Sequence, residues 1–224
     1  MELLDLERKY CKTVRRQYTQ LNRLFTKLGS DGTFDLRKRD ISKAILLRMT
    51  AYYQTHHKIK GLLDKRYVPA ASDFFVETVT FYLKLFMKVR KWDVEVHSER
   101  QIQQKRGAIR PDISVWRNDK VIAIIECKTQ LGWKRNNWRQ DFNEREKKLK
   151  QIFPNAKAFL LVMSSENWAG FDDETKGVGE QFFCLSSEWP RRITDETLDK
   201  VIENPIERLL RKIMSDAKVK KKNG

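Results

Sequence analysis

Apolar positions along the chain recur first at helical spacing, then at strand spacing, and then at helical spacing again. Leu3, Leu6, Tyr10, Val14, Leu21, Leu24 and Leu28 lie three, four or seven residues apart and predict a helix over 3–28, ended by Gly29 to Gly32. Ile41, Ile45, Met49, Tyr52, His56, Ile59 and Leu63 form a second stripe, predicting a helix over 40–64 with Asp40 as its cap. After a connector from Tyr67 to Ala71 that contains Pro69, Ser72 is expected to cap a third helix over 73–89. Phe75, Val79, Tyr82, Leu85, Phe86 and Val89 form its inward face. From Trp92 to Glu99 the period drops to two, with Trp92, Val94 and Val96 alternating against Asp93, Glu95 and His97, as in a half-buried strand.

The next stretch reads as a hairpin. Ile113 to Trp116 is β-branched and aromatic, Asn118-Asp119 is a turn signal, and Val121 to Cys127 is a nearly unbroken apolar run suited to a central strand. Trp138, Phe142, Leu149 and Phe153 then fit one face of a helix over 137–152. Ala158 to Met163 is a buried strand, parallel to Val121–Cys127 if the helix makes the usual crossover. A last strand spans Gln181 to Leu185, and two short helices follow over 195–203 and 205–217, the second with Pro205 in its first turn. The fold class is α/β, a mixed central sheet flanked by helices, with an N-terminal helical extension over 1–68 and the main domain over 69–224. The extension reads equally as an arm for DNA clamping or dimerisation and as a helical layer packed on the sheet.

Asp112, Glu126 and Lys128 interrupt the apolar hairpin. Charges at the end of a buried strand cost free energy unless they are paired or hold a metal. Glu126 and Lys128 are two apart and share a face, and Asp112 begins the neighbouring strand. Two carboxylates and the main-chain carbonyl of Cys127 form the oxygen-donor set that a hard cation such as Mg²⁺ takes. Lys128 can orient or deprotonate a water, or steady charge on a phosphate. The alternative is an ordinary hairpin that ends in a charge pair. Register adds a constraint. A perfect two-residue turn at Asn118-Asp119 would set Arg117 against Lys120 and Asp112 against Ile125, turning Asp112 away from Glu126. A shared metal therefore requires a longer loop, a β-bulge, or an Asp112 outside the ladder.

Pro111-Asp112, a spacer, and Glu126-Cys127-Lys128, set on a hairpin with an apolar second strand, resemble the signature of the PD-(D/E)XK nuclease superfamily, over roughly residues 72–165. The resemblance implies a restriction-endonuclease-like fold and a Mg²⁺-dependent DNA endonuclease, with Mn²⁺ expected to substitute. It is most like a type II restriction enzyme, leaving 5′-phosphate ends and often working as a homodimer. It also implies that an acidic residue on the preceding helix can join the metal site; Glu77 is that candidate, and a solvent-facing glutamate is the alternative. A repair, resolvase or mobile-element nuclease of the same fold is the second reading. A nucleic-acid-binding module without catalysis is the third.

Charge supports a polyanionic partner. The 46 Lys and Arg against 30 Asp and Glu give a net charge of +16, and DNA, double-stranded, is the expected partner. Phosphate contacts are assigned to Arg100, Lys105, Arg106 and Arg110, on a flexible loop, and to Lys134, Arg135 and Arg139, interleaved with Trp133 and Trp138. No run approaches a transmembrane span, and the charged start is no signal peptide. Cys11, Cys127 and Cys184 suit neither a disulfide framework nor a zinc site, which fits a reducing cytoplasm. His56, His57 and His97 are the only histidines, which argues against a histidine-based nuclease. Asp172, Asp173 and Glu174 lack the spacing of a calcium loop and read as solvated.

Overall fold

The strand that carries the site is the middle of the sheet. The computed structural model describes residues 2–130, 138–166 and 177–216. Its sheet has five strands in spatial order, β1 (Glu95–Ser98), β2 (Ile113–Arg117), β3 (Lys120–Lys128), β4 (Lys157–Ser164) and β5 (Phe182–Ser186). The first three pair antiparallel and the last two continue parallel to β3, so the sheet is mixed. β3 is hydrogen-bonded on both edges, and its side chains from Ala123 to Cys127 are all buried. A run of consecutive apolar residues is what a strand covered on both faces demands. Lys120 at one end is exposed, and Ile122 and Lys128 are partly exposed.

Helices cover both faces. On one side α2 (Asp40–Leu62), α3 (Ser72–Val89) and α6 (Pro205–Asp216) bury Ile45, Met49, Phe75, Phe86 and Leu209 against Ile113, Ile125 and Leu161. On the other, α4 (Trp138–Ile152) buries Trp138, Phe142 and Leu149 against Ile124, Leu160 and Val162. Each fully buried side chain of this size contributes about 1.5–3 kcal/mol. This is the restriction-endonuclease-like α/β arrangement expected from the sequence. α1 (Leu3–Asp31) has no buried residue and lies along α3, where Phe25 meets Phe81 edge-on at 5.8 Å.

Two expected caps are corrected. Asp40 and Ser72 are the first helical residues of α2 and α3, and neither helix has a side-chain cap from its own N-cap residue. The α2 terminus is satisfied from α6 instead. Glu207, 1% exposed, accepts from the backbone N–H of Ile41 and Ser42 at 2.9 and 3.0 Å and from the Ser42 hydroxyl. The same hydroxyl accepts from the Ile206 N–H at 3.2 Å, so the two helix starts cap each other. A buried carboxylate is tolerated there because free N–H groups and the positive end of the helix dipole surround it. The strand expected from Trp92 begins at Glu95, and the helix expected over 195–203 is the single turn Leu198–Val201 (α5), preceded by a 3₁₀ turn at Pro190–Arg192. The loop before Pro111, expected to be flexible, is pinned: Ile102 is buried in the α4-side core, and its N–H donates to the Ile109 carbonyl at 3.0 Å.

Replacing Glu207 with Ala leaves buried N–H groups without an acceptor, which costs about 1–3 kcal/mol. Urea denaturation should show a lower midpoint with an unchanged slope for Glu207→Ala, and a smaller loss for Glu207→Gln, whose amide oxygen still accepts. Equal midpoints for Glu207→Ala and the wild type would refute the mutual cap.

Candidate active site

The turn between β2 and β3 has two residues. Asn118 and Asp119 have φ of 46° and 58°, the left-handed pair of a type I′ turn that these side chains tolerate. Arg117 therefore opposes Lys120, and Trp116 opposes Val121. Beyond that point the register shifts: Val115 faces Ala123 and Ile113 faces Ile125, leaving Ile122 unpaired as a β-bulge. Continuing the shifted register sets Asp112 opposite Glu126 rather than Ile125. One extra residue thus brings the two carboxylates to the same end of the hairpin, each within reach of Lys128.

Lys128 meets both. Its Nζ is 3.6 Å from Asp112 Oδ2 and 4.0 Å from Glu126 Oε2. Asp112 Oδ2 also accepts from the Cys127 N–H at 2.7 Å, which anchors the aspartate where β2 gives way to the loop. Glu126 is buried, with a side chain 5% exposed, and Oε2 forms an ion pair with Arg145 of α4. Its Oε1 is buried and has no hydrogen-bond partner. The residues line two spaces that meet at Lys128. One, of about 720 Å³, is lined by Asp112, Cys127, Lys128 and Glu77 of α3. The other, of about 260 Å³, lies under α4 and is lined by Glu126, Lys128 and Arg145.

Burial dominates the titration of Glu126 and raises its pKa above the ordinary 4.5; Asp112 adds to the rise, while Arg145 and Lys128 oppose it. Burial likewise pushes the Cys127 thiol well up, so its side chain stays neutral and its contribution to a site is the main-chain carbonyl. A buried carboxylate oxygen without a donor, beside a second carboxylate, fits a hard cation. The donors available are Asp112, Glu126 and the Cys127 carbonyl. Glu77 lines the shared cavity, but among the described residues no three acidic, histidine or cysteine side chains converge on one point.

The expected phosphate contacts divide. Arg100 is tied down: its guanidinium lies 4.1 Å over the Trp116 ring and within 3.6 Å of Glu95. Lys105, Arg106 and Arg110 are exposed. Arg139 is exposed at the start of α4, 5.4 Å from the Trp138 ring, while Trp138 itself is core. Lys134, Arg135 and Trp133, together with the acidic stretch 172–174, lie outside the described residues. Sequence reasoning missed Arg145. Its signal was its position, three residues after Phe142 and four before Leu149, on the apolar stripe of α4 where a charge needs a partner.

Because the folded-state pKa of Glu126 lies above the unfolded one, its share of stability is present below about pH 4.5 and is lost as pH rises through the folded value. Glu126→Gln escapes that loss. With a chelator present, its melting temperature relative to wild type should climb as pH is raised from about 4 to 7. A difference that stays flat or shrinks would contradict a carboxylate destabilised by burial.

Residues 10–200 match the model of the family described as type I restriction enzyme R protein N terminus (HSDR_N). No curated protein matches the chain.

Proposed function

The chain belongs to the family of type I restriction enzyme R protein N termini, and we propose that it is a metal-dependent nuclease that hydrolyses DNA phosphodiester bonds. The family relates it to restriction enzymes; the finer type II reading rests on the sequence motif alone. The observation that carries the proposal is the meeting of Asp112 and Glu126 at Lys128, with Glu126 Oε1 buried and unsatisfied. A structural charge cluster would have no use for an orphaned buried oxygen, which costs free energy.

Asp112, Glu126 and the Cys127 carbonyl would hold a Mg²⁺ ion, or Mn²⁺ in its place. When bound, such an ion supplies Lewis-acid polarisation of a phosphoryl oxygen and a more acidic water. The chain's own groups do the rest. Lys128, partly exposed between the two carboxylates, is positioned to hold a water or to offset negative charge growing on the phosphate. The Cys127 N–H fixes the Asp112 carboxylate. Arg145 acts through Glu126 as a positioning residue, opposing the rise in that carboxylate's pKa that burial causes. The Arg145 pair also favours a second reading, a DNA-binding module in which the acidic and basic groups only neutralise one another.

Cleavage decides between them. Wild-type protein should nick or linearise plasmid DNA in Mg²⁺ and stop when the ion is chelated. Asp112→Ala should abolish cutting while circular dichroism and DNA binding stay close to wild type. A variant that cuts at the wild-type rate would sink the assignment, and a wild type inert in both Mg²⁺ and Mn²⁺ would favour the binding module.

Binding to duplex DNA should weaken steeply with salt, since a net charge of +16 acts largely through phosphates. Log affinity against log salt should fall by about 0.9 for each phosphate neutralised. An affinity indifferent to salt would remove the polyanion from the account.

A further inference from the structure

Beside the site lies a cavity of about 680 Å³ that the proposed chemistry does not use. That size is ample for a nucleotide-like ligand. The cavity shares Thr129 and Gln130 with the Asp112–Lys128 space, so the two adjoin just past the end of β3. Their walls differ in sign. Asp73, Glu77, Glu99 and Asp112 line the Asp112–Lys128 space together with Lys84 and Lys128, whereas no carboxylate lines the neighbouring cavity, whose charged groups are Lys60, Arg191 and Arg192. Arg192 is engaged by Glu166 at 2.8 Å. Lys60 and Arg191 have no ion-pair partner among the described residues.

The cavity also has an aromatic wall beside the end of β3. Trp189 is half-buried and its ring meets Tyr53 edge-on at 4.9 Å, while its backbone N–H donates to Glu166 at 2.8 Å. The buried Tyr53 lines the cavity together with Thr129, the residue after β3. Free cations beside a fixed indole, next to the site of phosphodiester chemistry, match one ligand: a phosphate carrying a base.

We infer that this cavity receives the nucleotide next to the scissile phosphodiester, its phosphate on Lys60 and Arg191 and its base against Trp189. The position of the scissile group rests on the nuclease reading; the binding rests on the cavity alone. A base reaches an aromatic wall only after leaving the duplex stack, so the strand that enters is single or locally opened. A free mononucleotide offers the same phosphate and base, and the test separates the two sources.

Binding of a fluorescein-labelled single-stranded oligodeoxynucleotide to the whole chain is followed by anisotropy with a chelator present. Lys60→Ala combined with Arg191→Ala should weaken binding and reduce the magnitude of the salt slope by about 0.7, the share of one phosphate on a single strand. Trp189→Ala should weaken it about 5- to 150-fold, and Trp189→Phe, which keeps a ring and the core contact, should restore most of the loss. Unchanged affinity and slope in the Lys60/Arg191 variant overturn the inference, and wild-type cleavage would still uphold the nuclease reading. Loss of binding in these variants beside an inert wild type would keep the cavity as a strand site and remove the nuclease reading. Deoxyadenosine 5′-monophosphate should compete with the oligonucleotide only weakly, through the cavity. If it binds in a Trp189-dependent way without displacing the strand, the ligand is a free nucleotide and the strand assignment fails.

Discussion

The unpaired Ile122 is the constraint on which the site depends. Side chains on a strand alternate faces, so a slip of one residue exchanges every inward position for an outward one. The type I′ turn sets the register at one end of the hairpin, with Arg117 against Lys120. Left uncorrected, that register would put Asp112 and Glu126 on opposite faces of the sheet. The bulge inserts the missing residue, and from Ala123 onward β3 presents Ile125 and Cys127 to one core and Ile124 to the other. Glu126 and Lys128 follow Ile124 onto the α4 side.

Placing a carboxylate there has an electrostatic cost that the surroundings only partly offset. Burial raises the Glu126 pKa, and Asp112 reinforces the rise. Arg145 and Lys128 hold it down, but each is about 40% exposed at its side chain and so acts through a partly solvated charge. The pairing leaves Oε1 with no partner. Stability alone would favour an apolar residue at this position, because replacing buried ion pairs by packed apolar groups is often neutral or stabilising. Retaining the charge makes sense where function needs an unsatisfied oxygen.

The helices around the site are held by contacts between distant parts of the chain. Glu207 of α6 satisfies the start of α2 across 165 residues of sequence, and α2 in turn carries Tyr53 into the cavity that Thr129 lines at the end of β3. The C-terminal turn that follows β5 brings Trp189, Arg191 and Arg192 to the same place. The wall beside the end of β3 is therefore assembled from Thr129 near the middle of the chain, Tyr53 in the N-terminal third and Trp189 toward the C-terminus.

Local periodicity carried most of the architecture. The helical stripes of α2, α3 and α4, the apolar run of β3, the Asn118-Asp119 turn and the parallel crossover to β4 were all legible, because each depends on residues within a few positions of one another. Asp112, Glu126 and Lys128 were legible too, since charge in an apolar hairpin is conspicuous, and so was the need for a register irregularity. Which residue would bulge was not legible: Ile122 differs in no local way from its apolar neighbours, and only packing against two cores selects it. The cap at Asp40 was misread for a related reason. A side chain that suits a helix start does so only if no better acceptor arrives from elsewhere, and Glu207 arrives from α6. Arg145 and the cavity of Lys60, Trp189 and Arg191 belong to tertiary structure entirely. Each takes its meaning from a neighbour that the sequence places far away, and spacing along a chain carries no information about distance across a fold.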